Sequence, residues 1–553
     1  MELSRRGLLR AVGLSAAAVA GSSVLAACGS SGAAPSGGTG SAGKSLTPWP
    51  SYIPATGPTP DLAATAQGVQ AAYLKYPEKI VNLGLDKPGD GSVVKVVMLT
   101  YGTPAVPLEQ NTYWQAINDA LGIKIDLTLI PNADFPSKMA TIMASGDLPD
   151  IIHIGGGHSL PREAEFVSSQ CADLSEYVTG DAIKTYPYLA NIPTYAWKGM
   201  GRIGGKLFGI PVERPLFSDV LIANKEMFAG AGQTPGWSVD QFETVMKALA
   251  TEKKYGLGSN QLKVFGYKVH GSWHGAPNMW KVDAGKFSST WETAEFKAAL
   301  EFMTRMRKAG VYNPDVMSLT PADGTPLFLN QKVGSQTDGI GGIFGTVAKI
   351  QGAFTQDLVE PYKPATGQAT PWAGRGIFGY TVLKKAAPER IKMLLRVLNH
   401  MAAPFGTKEY ELIHYGVEGA HFTRDEAGAP VGTELAGKEK TIPFSLMADA
   451  PQVLYFPAQP GAPKEAFEAA TKMMHAYQAK IAPTLAAGPH YGLLSDAAGR
   501  NGVQMEKIIQ DGIAAIVTGR AGQDSWDGVV TKWKSAGGDQ AAAELAKEYA
   551  ANA

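Results

Sequence analysis

The chain has 553 residues, with 50 Lys and Arg against 50 Asp and Glu, and a formal net charge of zero at neutral pH. With no basic excess to hold a phosphate backbone, nucleic acid is excluded as a partner. Two cysteines, Cys28 and Cys171, exclude a disulfide-dense scaffold, so the fold rests on a core that a chain of this length can build.

The segment Ser4-Arg5-Arg6-Gly7-Leu8-Leu9-Arg10 precedes a weakly apolar run from Ala11 to Ala27 that closes on Leu25-Ala26-Ala27-Cys28. A twin arginine ahead of such a run reads as a Tat-type export signal. Leu-Ala-Ala-Cys resembles the bacterial lipoprotein cleavage box, in which the Cys thiol is acylated and becomes the first residue of the mature chain. Residues 1–27 are therefore expected to be a removed signal peptide and Cys28 a lipidation site. A membrane-spanning helix is the alternative, but the run is short for a span and diluted by Gly and Ser. Residues 29–43 are Gly, Ser, Ala, Thr and one Pro without a charge, the composition of a flexible tether. Loss of Glu2, Arg5, Arg6 and Arg10 leaves the mature chain at −2, and acylation of Cys28 leaves Cys171 without a disulfide partner.

Residues 45–90 are rich in Pro and small residues, with a helix expected near Leu62–Lys75, and read as an extension over the main domain. Val93 to Leu99 predicts a buried strand, Gln110 to Leu121 a helix, and Ile123 to Leu129, alternating with Lys124, Asp126 and Thr128, a second strand. Phe135 to Ala144 predicts a helix and Asp150 to Ile154 a third strand. Strand, helix, strand, helix, strand at this spacing gives a parallel sheet, whose ligands sit beyond the carboxyl ends of the strands. That directs attention to Tyr101-Gly102-Thr103 and to Gly155-Gly156-Gly157-His158. Farther on, Ser238 and Gln241 form a capping box with Trp237 placed to staple Phe242, which favours a structural role for Trp237. Apolar stripes follow on Phe296, Ala299, Leu300, Met303 and Met306, and on Ile391, Leu394, Leu395 and Leu398 after Pro388.

Six segments, in order, resemble those of the extracellular solute-binding proteins of family 1, the sugar-capturing subunits of ABC importers. They are Ala144-Ser145-Gly146-Asp147-Leu148-Pro149-Asp150-Ile151, Gly205-Lys206-Leu207-Phe208-Gly209-Ile210-Pro211, Leu221 to Phe228, Thr234 to Phe242, Tyr415-Gly416-Val417-Glu418-Gly419-Ala420-His421-Phe422-Thr423, and Val517-Thr518-Gly519-Arg520 followed by Ser525-Trp526-Asp527. The fifth and sixth are similar to segments of the oligosaccharide-binding lipoprotein branch. Several of these runs also have plain structural readings: Pro149-Asp150 ends a helix, Gly519 stops one, and Gly416 and Gly419 permit a tight turn.

The resemblance implies an α/β fold of the type II periplasmic-binding-protein kind, two lobes joined by three crossings and closing by a hinge. The crossings are expected near Asp219–Ala223, Ser335–Gly339 and Tyr380–Leu383. The N-terminal lobe is then 91–221 plus 338–380 and the C-terminal lobe 222–337 plus 381–553, after a lipidated extension of 28–90. The implied partners are a carbohydrate ligand, the permease subunits of an ABC importer and the membrane through the lipid, with the protein a monomer on the outer face of the cytoplasmic membrane and no cofactor. A peptide or metal-chelate cargo is the runner-up among binding proteins.

Sugars are held by aromatic faces against their C–H surfaces and by polar side chains on their hydroxyls. Trp273, His274, Asn278 and Trp280 on one Gly/Pro-containing loop suit that role, with loop packing as the alternative. Trp372 is a weaker candidate of the same kind. Arg214, Asp338 and Glu418 complete the set with Tyr101, Thr103 and His158; Glu418 ranks highest among the carboxylates because two glycines flank its turn. His414, Glu418 and His421 do not have the HExxH spacing, and Gly416 and Gly419 break the helix such a metal site needs. Gly339 to Gly345 misses the G-x-G-x-x-G pattern at Phe344, and neither a G-x-S-x-G elbow nor a Walker loop is present. A polysaccharide lyase or hydrolase is the leading enzyme alternative. Metabolic labelling with a fatty acid should mark the wild-type protein and not Cys28→Ala; equal labelling of both would remove the anchor.

Overall fold

In the computed structural model, residues 46–102, 105–457 and 464–552 are described. The signal segment, Cys28, the tether and Thr103 lie outside them. The first strand, β1 (Val93–Thr100), buries every residue from Val96 to Thr100. The helix Thr112–Leu121 follows, its N-terminus capped by the Asn111 side chain and its end turned by Gly122 at φ 63°. Then come β2 (Lys124–Pro131), the helix Phe135–Ser145 and β3 (Ile151–Gly155). β1 pairs in parallel with β2 on one side and β3 on the other, so the parallel unit expected from the periodicity is present.

Two more strands complete this sheet, β4 (Gly209–Glu213) and a late one described below. The chain next enters a second sheet with β5 (Asp219–Asn224). The helix Val239–Leu249 carries the expected capping box, and Trp237 meets Phe242 edge-on at 5.0 Å. A hairpin, β6 (Trp280–Asp283) and β7 (Lys286–Ser289), precedes the long helix Ala294–Lys308. β8 (Ser335–Gly339) and β9 (Gln356–Leu358) flank β5 antiparallel, giving the order β8-β5-β9. β10 (Ile377–Leu383) returns to the first sheet, antiparallel between β3 and β4, in the order β2-β1-β3-β10-β4.

Three expectations are corrected here. Asp219–Ala223 is not a crossing but most of β5, paired with β8 and β9. The stretch Ser335–Gly339 is not a crossing: it is β8, paired with β5 inside the second sheet. Nor is Tyr380–Leu383, which is the second half of β10. The chain crosses at 214–218, at 373–376 and at 449–456. Residues 340–358 therefore pack with the second sheet, through Ile343, Val347 and Leu358. The helix Pro388–Met401 and the segment Ile442–Ala448 pack with the first, the reverse of the expected allotment. An apolar strand reads the same in either sheet, and only tertiary packing tells them apart. The last helices, from Lys464 onward, return to the second lobe.

The extension also differs from expectation. Residues 62–75 form no helix. Gly68 sits at φ 91°, and the backbone pairs outward instead: Leu62 and Ala72 bridge each other, and Ala72 bridges Leu454. Tyr73 and Tyr76 pack on Phe405. The segment is a strap, tied to the first lobe at Ile53 (N–H to Ala190 O, 2.8 Å) and Val81 (N–H to Gly406 O, 3.0 Å). Between those ties, the Gln70 N–H and the Gln478 amide join it to the helix Lys464–Ile481 at 2.9 and 2.8 Å.

The crossings lie side by side. The Arg214 N–H donates to Gly376 O, and the Gly374 N–H to Leu216 O. Glu213, 1% exposed, accepts from the Gln452 N–H of the third crossing at 2.9 Å and from the Tyr195 hydroxyl. Burial pushes its carboxyl up to about 7, although Gln452, Tyr195 and Arg214 each pull it down. An acid raised this way adds stability below its unfolded pKa, near 4.5, and loses it as pH rises through about 7. We expect Glu213→Gln, which preserves the shape and an acceptor, to gain stability relative to wild type from pH 4.5 to 7.5, by roughly 3 kcal/mol at most. Denaturant unfolding at each pH measures the difference; a flat difference would mean that Glu213 titrates normally.

Candidate functional site: the cleft at the crossings

On the first lobe, the carboxyl end of β1, the amino end of the antiparallel β10 and the first crossing present a row of rings and charge. Tyr101, 67% exposed, lies 6.4 Å from the Phe378 ring, and the Arg214 guanidinium lies 5.2 Å from the same ring. Gly156 and Gly157, at φ 70° and 81°, turn the chain after β3, and a side chain at Gly156 would collide with Asn132 and Leu99. His158 follows, stacked on Phe135 at 5.8 Å and hydrogen-bonded through Nε2 to Asn132 Oδ1 at 3.0 Å. Tyr101 and His158 thus lie just beyond the ends of β1 and β3, and Arg214 just beyond β4.

The loop expected to stack sugar does something else. Trp273 is buried among Phe242, Tyr362 and His270. Trp280 packs on Phe287 and Trp533. Neither leaves a ring face for a ligand. His274 is held by Tyr362 Oη and His270 O at 3.0 and 2.8 Å, and burial lowers its pKa to about 4, keeping it neutral. Asn278 donates to Ala373 O and Ala486 O, both at 2.8 Å, and the Tyr491 hydroxyl donates to Ala373 O at the same distance. Trp372 donates its indole N–H to Ala276 O at 2.8 Å. The loop is a clamp on the second crossing.

Glu418 is turned outward and chelated by Arg424, at 2.8 Å from Nε and 2.9 Å from Nη2. Those hydrogen bonds lower its pKa. Arg424 also grips Glu411, so the turn of Gly416 and Gly419 locks the hairpin β11 (Phe422–Arg424) and β12 (Pro430–Gly432). His414 and His421 turn to Asp449 and Glu439 respectively and do not converge on Glu418.

The second lobe's contribution comes from residues that sequence patterns did not mark. Val264 (φ 37°), Phe265 (φ 61°) and Gly266 (φ 73°) run consecutively through the left-handed region. For a β-branched Val and a Phe this strain costs about 1–3 kcal/mol each and is typical of binding sites. The turn lies beside the crossing end of the second sheet; Leu262 and Lys263 just before it line two adjoining cavities, and Gly266 lines the second of them. One, of about 140 Å³, is bordered by Ser259, Asn260, Asn313, Gln336, Thr337 and Asp338. The other, of about 150 Å³, is bordered by Asp219, Tyr267 and Lys268 and shares Leu262, Lys263 and Thr337 with the first. Ser259 Oγ, Gln336 Nε2 and Thr337 Oγ1 are buried and have no partner in the protein, although their residues are only 7–8% exposed. Lys263 pairs with Asp219 at 2.9 Å, and Asp338 accepts from the Gly339 N–H at 2.8 Å. Of the second-lobe residues singled out in the sequence, Asp338 alone lines a cavity. The glycines at 258 and 266 around Lys-Val-Phe-Gly-Tyr-Lys were the available signal, a turn flanked by charge.

The comparisons with known proteins agree with this architecture. A family model described as bacterial extracellular solute-binding protein matches residues 106–392. The chain is 25% identical over 442 residues to the polygalacturonan/rhamnogalacturonan-binding protein YtcQ of Bacillus subtilis (strain 168), covering 77% of this chain and 85% of that protein. It is 24% identical over 497 residues to lipoprotein LipO of the same organism, covering 83% and 93%. Among solved structures, an extracellular solute-binding protein from Bifidobacterium longum subsp. infantis superposes with a TM-score of 0.63 at 13% identity, covering 84% and 98%. The alginate-binding protein AlgQ2 superposes with a TM-score of 0.57 at 15% identity, covering 85% and 100%. At such identities the solved structures establish the fold, a two-lobe type II architecture. The family match runs from just beyond β1, across two of the three crossings and into the helix after β10, and on it the chain belongs to the bacterial extracellular solute-binding proteins.

Proposed function

We propose that this chain is the cargo-capturing subunit of an ABC importer, anchored by lipid at Cys28 to the outer face of the cytoplasmic membrane, and that its cargo is a carbohydrate. The observation that carries the reading is the pair of adjoining cavities with three unpartnered polar side chains, Ser259, Gln336 and Thr337. A buried hydroxyl or amide without a partner costs about 1–3 kcal/mol, and a polyhydroxylated ligand supplies both donors and acceptors to relieve it. Across the crossings, Tyr101 and Phe378 offer ring surface for the C–H faces of a sugar. The names of YtcQ and AlgQ2, binders of polygalacturonan and of alginate, support the same class of cargo. The protein acts as a monomer, breaks no bond in its cargo and passes it to the permease subunits.

The lobes close because the ligand touches both, and only a ligand that binds the closed form better than the open one can shift that balance. Small-angle scattering should show a smaller radius of gyration with bound oligosaccharide than without; an unchanged radius would confine the cargo to one lobe. Thr337→Val offers a sharper test. Its hydroxyl has no protein partner, so the free protein should unfold at the wild-type denaturant concentration or slightly above. Saccharide affinity should fall roughly tenfold, about 1.4 kcal/mol. Unaltered affinity would take Thr337 out of the site, and failure of every mono- and oligosaccharide to raise the unfolding temperature would overturn the carbohydrate reading.

A further inference from the structure

Charge is unevenly satisfied at the cleft. Lys268, half-buried on the wall of the second cavity, makes no hydrogen bond, and no carboxylate oxygen lies within 4.0 Å of its ammonium among the described residues. Its nearest ring is Tyr267, 5.8 Å away. Asp219 and Glu506 act on it only from a distance: Asp219 is taken by Lys263 at 2.9 Å, and Glu506 receives the Tyr267 hydroxyl at 3.5 Å. Arg375, exposed on the second crossing, uses only Nε, toward Gly199 O at 2.7 Å, and has no carboxylate within 4.0 Å. Lys268 and Arg375 both bear on the Tyr491 hydroxyl, so they share one region. Arg214 has Asp449 no closer than 3.9 Å. Lys268 and Arg375 thus keep open donors in one region of a chain whose formal charges balance, and Arg214 stands on the adjoining first crossing, its backbone N–H on Gly376 O. Burial is outweighed by Tyr267, Asp219 and Glu506, which hold Lys268 in its charged form, so its open donors carry a charge that a neutral sugar would not pair with an opposite one. The neighbouring cavity has the opposite polarity: Asp338 and the orphaned groups of Gln336 and Thr337 suit hydroxyls.

We propose that the cargo is an acidic saccharide and that the cavity of Lys268 and Tyr267 is the subsite for a sugar-ring carboxylate. Lys268 supplies the charge-assisted hydrogen bond, the Tyr267 ring the adjoining apolar surface, and Arg375 reinforces the field from the crossing. This rests on the reading of the chain as a carbohydrate-binding protein. The charges lining this cavity are Asp219, Lys263 and Lys268, of which the first two pair with each other; the one cation left over matches a carboxylate better than a dianionic ester.

Calorimetric titration tests it with uronate di- to tetrasaccharides, the same compounds as methyl esters, neutral oligosaccharides and sulfated ones. Wild type should bind at least one uronate series ten- to a hundredfold tighter than its methyl esters, with affinity falling as salt rises. Lys268→Met should remove that preference and flatten the salt dependence without lowering the unfolding temperature of the free protein; Lys268→Arg should retain most of the preference. Binding of neutral or sulfated saccharides in preference to uronates would overturn the inference and leave the carbohydrate reading intact. So would equal uronate affinity in Lys268→Met and wild type. Failure of all saccharides would bring down both.

Discussion

Where a chain passes three times between two sheets, its backbone leaves both ladders, and each N–H and C=O released there needs another partner. This protein meets that constraint by placing the three passages against one another. The first and second exchange backbone bonds through Arg214, Gly376, Gly374 and Leu216, the third docks its Gln452 N–H on Glu213, and Asn278 with Tyr491 saturates Ala373 O. A buried acid is used where an amide would also serve: burial favours its protonated form, while the hydrogen bonds of the joint favour the carboxylate. The cleft walls are defined by what stands immediately beside this bundle: Arg214 and Phe378 on one side, Asp219 and Asp338 on the other.

The elements whose role is local were legible in the sequence. The parallel unit from Val93 to Gly155 follows from its own periodicities, and the helix from Val239 announces itself through Ser238, Gln241 and Trp237. Tyr101 and His158 were singled out because strand ends in an open sheet have a known relation to ligands, and Arg214 because its segment resembles the family's. Allotment of strands to sheets was not legible. Tyr380, Val382 and Leu383 are as apolar as a strand of either lobe requires, and nothing within ten residues says which sheet they join.

The aromatic loop misled for a related reason. Trp273 and Trp280 are the residues a sugar would stack on, but they are equally those that fill a large core, and their neighbours Phe242, Tyr362 and Trp533 come from distant parts of the chain. Glu418 was drawn by its flanking glycines; the turn is real, yet Arg424, six residues on, claims the carboxylate. Conversely, Lys268, Gln336 and Thr337 carry no motif. Their interest lies in what fails to meet them, a property of three-dimensional packing that composition and spacing do not encode.

The strap of residues 53–81 has a mechanical consequence. It is fastened to the first lobe at Ile53, to a helix of the second lobe at Gln70, and to the first lobe again at Val81. It therefore spans the joint as a fourth link, parallel to the three covalent passages but made of breakable bonds. Any swing that draws Gln478 away from Gln70 must stretch or rupture that paired amide contact, whereas small rotations leave it whole. The strap thus opposes such a swing with hydrogen bonds that the covalent passages do not supply.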